Sequence, residues 1–81
     1  MFRISRILEV RPQSFEVLVD TSEGRGVLNL KPYFERPKNL AKEVVEQSLF
    51  EKCTLDGGGI GWENGLSFCG DTLKVKFERI R

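Results

Sequence analysis

At 81 residues the chain is one domain. It can bury a single modest core, but leaves little room for the deep cleft that a small-molecule active site usually needs. Hydrophobic residues make up 40% and charged residues 31%, a globular balance rather than a disordered one. Thirteen basic and twelve acidic residues leave a net charge of +1 with no basic stripe, so direct nucleic-acid binding is not expected. The absence of histidine excludes Ser-His triads and the commonest zinc sites.

Phe2, Ile4, Leu8 and Val10 share one parity, interrupted by Arg6, which predicts a strand with one buried face that ends at Pro12. A second strand is expected near residues 15–19, with Phe15, Val17 and Val19 on one side. After a turn at 20–24, a third strand carries Val27, Leu28 and Leu30, and the short linkers imply an antiparallel meander. Pro32 and Pro37 argue against a regular element over 31–37. Ala41, Val44, Val45, Ser48 and Leu49 then recur at helical spacing, opposite Lys42, Glu43, Glu46 and Gln47. This predicts one helix over 39–49, with Asn39 as its N-cap and with Val44 and Val45 buried against the sheet.

A fourth strand is expected over 50–56, with Cys53 and Leu55 facing inward, ended by the looser run Gly57-Gly58-Gly59. Asn64-Gly65 signals a tight type I′ hairpin between 60–62 and 66–68. The tail fits two periods. Leu73, Val75 and Phe77 suit a strand, which is the expectation here, while Leu73, Phe77 and Ile80 fit a helix face. The class is therefore α+β: a single domain with a small, mainly antiparallel sheet of four to six strands packed on one helix.

Chemical motifs are few. Cys53 and Cys69 have no companion ligands, and no nearby base marks either as a nucleophile. They are expected as unbonded thiols, Cys53 in the core and Cys69 beside the hairpin. The run Gly57-Gly58-Gly59-Ile60-Gly61 lacks the Gly-Lys-Ser/Thr ending of a phosphate loop. Asp56, Glu63 and Asp71 share one half of the chain, but nothing fixes their separation. Trp62, the single tryptophan, either packs at the core edge or stands exposed as a binding anchor. Packing is the expectation in a domain so small. No cofactor or metal is called for. No segment approaches the roughly 18 apolar residues of a spanning helix, and residues 1–6 lack a signal-peptide run, so a cytoplasmic, non-membrane protein is expected.

The order Leu-Lys-Pro-Tyr (30–33), Leu49-Phe50, Cys53-Thr54-Leu55-Asp56, Ile60-Gly61-Trp62-Glu63-Asn64-Gly65 and Gly70-Asp71-Thr72-Leu73 resembles the bacterial family called domain of unknown function 2442. The resemblance spans about residues 8–73. Its most specific part is Trp62-x-Asn64-Gly65 with Asp71-Thr72-Leu73 downstream. Asn29 stands where that family usually has Asp, Glu63 replaces its Pro, and Ser67 replaces an Asp. The likeness implies a small sheet with a helix, and a non-enzymatic protein-interaction module. Its partner would be another protein, in an antitoxin-like pairing with a small protein encoded nearby. The alternative is a regulatory or sensory module acting with a helix-turn-helix DNA-binding protein. Trp62, Asn64, Gly65 and Asp71 are the candidate motif or partner surface.

Overall fold

The N-terminal alternation does build strands. In the computed structural model, which describes residues 1–80, β1 (Ile4–Arg11), β2 (Glu16–Thr21) and β3 (Gly24–Asn29) form the expected antiparallel meander. The parity of β1 differs from expectation. Register shifts between Ile4 and Arg6 and between Ile7 and Glu9 place Ile7 opposite Val19 and Val10 opposite Val17. Each irregularity moves the following residues to the other face, so Ile7 rather than Leu8 joins Ile4 and Val10 towards the core. The same two irregularities, with Arg6, Glu9 and Arg11, make the long outer edge of β1 a poor template for further pairing.

Further corrections follow along the chain. Residues 31–37 are not wholly irregular: α1 (Lys31–Phe34) is a single turn with Pro32 in its first turn, where a missing N–H costs nothing. The Asn29 side chain accepts from the Lys31 N–H at 3.2 Å and starts this turn. The main helix is shorter than its periodicity suggested: α2 runs only over Leu40–Glu46. Ser48 turns left-handed at φ 54°, its N–H bonds the Val45 carbonyl at 3.2 Å, and the Leu49 N–H bonds the Val44 carbonyl at 2.9 Å. This is a Schellman ending with serine in the place usually taken by glycine, and the buried pair Val44 and Leu49 is its apolar contact. Consequently Val44 is fully buried while Val45 is 36% exposed, against the expectation that both are core. Asn39 sits at the N-cap position but makes no side-chain cap bond; its backbone carbonyl accepts from Lys42 at 3.1 Å.

The region 50–56 is not one strand. A 3-10 turn (Phe50–Lys52) precedes β4 (Thr54–Asp56), and Cys53 is buried as expected while Leu55 is 47% exposed. With β5 (Gly59–Gly61) and β6 (Ser67–Phe68), β4 forms a second antiparallel sheet. The tail follows neither period over its length: Leu73 is buried in a helix, α3 (Gly70–Lys74), Val75 is 76% exposed outside any strand, and only β7 (Phe77–Arg79) is a strand, paired with β3. The α+β class holds, but among the described residues the architecture is two antiparallel sheets of four and three strands with three short helices, rather than one sheet on one helix.

Short elements of this kind cannot hold themselves together, and a shared core binds them. Val17, Val19 and Leu28 from the first sheet meet Val44 of α2, Ile60 of β5 and Leu73 of α3, all fully buried. A backbone bond from the Ile4 N–H to the Gly58 carbonyl, 2.8 Å, joins the two sheets directly. Among the described residues no helix is long and apolar enough to cross a membrane.

The face of α2 is directly testable. Val44→Asp places a carboxylate in the core and is expected to abolish the cooperative thermal melt. Val45→Lys, on the exposed flank, is expected to shift stability by no more than about 0.5 kcal/mol. Equal damage from both substitutions in circular-dichroism melts would contradict the assigned face.

Candidate functional site

The turn singled out in sequence is a built structure. The Trp62 N–H donates to the Leu66 carbonyl at 2.7 Å, and the Gly65 N–H donates back to the Trp62 carbonyl at 3.1 Å. Glu63, Asn64 and Gly65 thus form a three-residue loop between β5 and β6. Gly65 has φ 99°, as a tight turn requires, but Asn64 is not left-handed. The connection is therefore not the expected type I′ turn, which needs positive φ at both central residues. It is a three-residue hairpin whose last position has a positive φ, the next commonest solution.

Asn64 has a specific task in it. Its Oδ1 accepts from the Leu66 N–H at 3.2 Å, and its Nδ2 donates to the Leu40 carbonyl at 3.1 Å. One carboxamide therefore closes the loop and ties it to the first residue of α2. An aspartate could accept but not donate.

Trp62 is 5% exposed, so packing, not presentation, is its role. Its indole Nε1 donates to the Phe50 carbonyl at 3.0 Å, which satisfies a buried donor and a buried acceptor at once. The ring meets Phe34, Phe50 and Phe68 at centroid distances of 5.6, 5.7 and 5.9 Å. Phe15 extends the cluster, stacked on Phe34 at 5.3 Å and edge-on to Phe50 at 5.3 Å.

Asp71 is not part of this arrangement. It lies in the first turn of α3 and lines a separate hollow of about 150 Å³ with Arg3, Gly57, Gly58 and Cys69. Trp62, Asn64 and Gly65 thus share one loop, and Asp71 serves another place. Cys69 is exposed there, and its sulfur shares a hydrogen bond with the Thr72 hydroxyl at 3.3 Å. Hydrogen bonding by Thr72 holds its thiol below the ordinary value. Cys53 is the opposite case, since burial pushes its thiol up to about 11. The other shifted pair is Asp20 with Arg25, an exposed ion pair at 2.8 Å whose hydrogen bond lowers the carboxyl and raises the guanidinium. Among the described residues no cluster of three or more His, Cys, Asp or Glu side chains is placed to hold a metal ion.

An apolar groove of about 220 Å³ lies between α2 and the β1–β2 turn, lined by Pro12, Phe15, Val44, Val45, Phe50 and Glu51 among others. A wider space of about 550 Å³ beside the turn is bounded by only Arg11, Pro12, Gln13 and Ser14, all exposed, and is open solvent rather than a cleft. Sequence reasoning placed none of the groove's residues in a site. Val45 carried the only signal: as the apolar residue next to Val44 it was assigned to the core, and the early helix stop left it at the groove.

Phe15 forms part of that groove with φ 55°, a left-handed conformation that a bulky side chain adopts only under tertiary constraint. Its carbonyl accepts from the Leu30 N–H at 2.9 Å, and its ring is held by Phe34 and Phe50.

Two measurements check the local physics. The run at Gly57 is not loose, since Gly57 has φ 54°, inside the left-handed basin, whereas Gly65 at 99° lies beyond it. Gly57→Ala is expected to cost about 1 kcal/mol and Gly65→Ala distinctly more, about 2 kcal/mol, in urea unfolding. Equal losses would contradict the turn geometry. The second concerns Cys53. Its folded-state thiol is raised from 9.0 to about 11, so its contribution is complete below pH 9 and is lost as pH rises towards 11. The stability advantage of wild type over Cys53→Ala is therefore expected to shrink across that window, read as the difference between their melting temperatures. A constant difference would show that the thiol keeps its ordinary value.

No family model, no curated protein and no solved structure matches this chain.

Proposed function

We propose that the chain is a non-enzymatic protein-interaction module whose contact surface is the apolar groove between α2 and the β1–β2 turn. The observation that carries this reading is the groove's lining: Phe15, held in a strained conformation, together with Pro12, Val45 and Phe50. Strained backbone persists only where its surroundings over-determine it, and such positions concentrate at binding sites. About 220 Å³ is smaller than the ~300 Å³ of a typical small-molecule pocket and suits a partner's apolar side chain. Glu51 at the groove favours a partner segment with a basic residue beside its apolar anchor. In this reading Trp62, Asn64 and Gly65 do not touch the partner. They hold α2 and Phe50 in place behind the groove. An antitoxin-like pairing with a small neighbour-encoded protein rests on the sequence resemblance alone.

Selection of peptides from a random display library against the folded chain tests the reading. Selected peptides are expected to carry a large apolar residue flanked by Lys or Arg. Their binding is expected to be lost in Val45→Lys and kept in Leu55→Lys, which alters an exposed apolar residue outside the groove. Peptides that bind both variants equally, or that shift no amide resonance of Phe15, Val45 or Ser48, would overturn it.

A further inference from the structure

Asn64 precedes a glycine, and no Cβ at position 65 hinders attack of that residue's backbone nitrogen on the Asn64 carboxamide. This is the arrangement in which an asparagine most readily cyclises to a succinimide. The hairpin holds all three reacting groups. The attacking nitrogen, Gly65 N, has its proton engaged by the Trp62 carbonyl at 3.1 Å. The leaving nitrogen, Asn64 Nδ2, donates to the Leu40 carbonyl at 3.1 Å. The carboxamide oxygen is held by the Leu66 N–H at 3.2 Å. These two bonds fix the carboxamide's orientation, and rotating it out of them frees the hairpin tip from α2.

We propose that Asn64 is a covalent modification site guarded by the fold, deamidating only when the hairpin tip releases α2, and unable to re-form the same contact afterwards. In the released state Gly65 N gives its proton to hydroxide and bonds to Asn64 Cγ. The Cγ–Nδ2 bond breaks, and the nitrogen takes a proton from water, which regenerates the hydroxide, and leaves as ammonia. Water then adds to either carbonyl of the ring, which opens to aspartate or to isoaspartate. One water is consumed and one ammonia is released, with no change of oxidation state. Either product carries a carboxylate that only accepts hydrogen bonds, so it faces the Leu40 carbonyl acceptor to acceptor. Isoaspartate also adds a backbone atom to a loop of three residues and breaks its register. The modification thus converts a reversible opening into a permanent loss of the tether between the second sheet and α2.

The test follows conversion at residue 64 by peptide mass spectrometry in mildly alkaline buffer, for the folded full chain and for the same chain unfolded in urea. Conversion in the folded chain is expected to be at least roughly tenfold slower, the factor that corresponds to ~1.4 kcal/mol of opening cost. Asn29 and Asn39, each followed by leucine, serve as slow internal references in urea. Equal rates in the two states would overturn the proposal. Hydrogen exchange on Asn64→Asp reads the consequence: amides of residues 41–44 are expected to lose protection while those of β2 keep it. A variant protected at 41–44 like wild type would show that the tether does not matter, and would overturn that part. If the variant does not fold, the wild-type rate comparison still decides the guarded step.

Discussion

The hydrogen bond from the Trp62 indole to the Phe50 carbonyl, made inside a cluster of aromatic rings, is the constraint on which the other elements depend. Among the described residues no helix exceeds two turns, and the second sheet has strands of three, three and two residues. Such pieces have no independent stability in water. The rings gather them: Phe34 brings α1, Phe50 the segment after α2, Phe68 brings β6, and Phe15 the β1–β2 turn. Removing the indole N–H would leave a buried carbonyl without its partner as well as a void, and the two penalties fall on the same joint.

The second consequence of this joint is directional. Asn64 fixes the start of α2 through Leu40, and Trp62 fixes the 3-10 turn after it through Phe50. With the first residue of α2 and the 3-10 turn that follows it both tied to one hairpin, the orientation of α2 over the first sheet is set without a long helix or a conventional side-chain cap. The Schellman ending then turns the chain so that Leu49 and Phe50 enter the core and Val45 does not. The apolar groove is the space left by that turn. The residues that identify the hairpin in sequence are therefore architectural, and the surface they support is made by other residues.

The glycine-rich segment at the turn between β4 and β5 obeys the same economy. Gly58 offers its carbonyl to Ile4 and so closes the two sheets at the N-terminal strand, while Gly57 and Gly58 turn the chain at φ 54° and 93°, a reason for glycine there that has nothing to do with phosphate. Asp71 and Cys69 gather at this second junction rather than at the hairpin. The four residues marked by the motif thus divide between two joints of the molecule.

Local chemistry alone determined the α+β class, the three-stranded meander, the hairpin at Asn64-Gly65 and the buried positions of Val44 and Cys53. Each follows from side-chain period or from a turn residue's own conformational preference, and both act over a few neighbouring positions. The tertiary structure alone decided where the second sheet separates from the first, where α2 stops, which neighbour of Val44 is left outside, and that Phe15 adopts a left-handed backbone. These outcomes depend on contacts between residues far apart in sequence: Phe15 with Phe34 and Phe50, Asn64 with Leu40, Ile4 with Gly58. No periodicity records such contacts. The groove was illegible for the same reason, since its walls come from a turn and a helix end that meet only once the aromatic rings have closed.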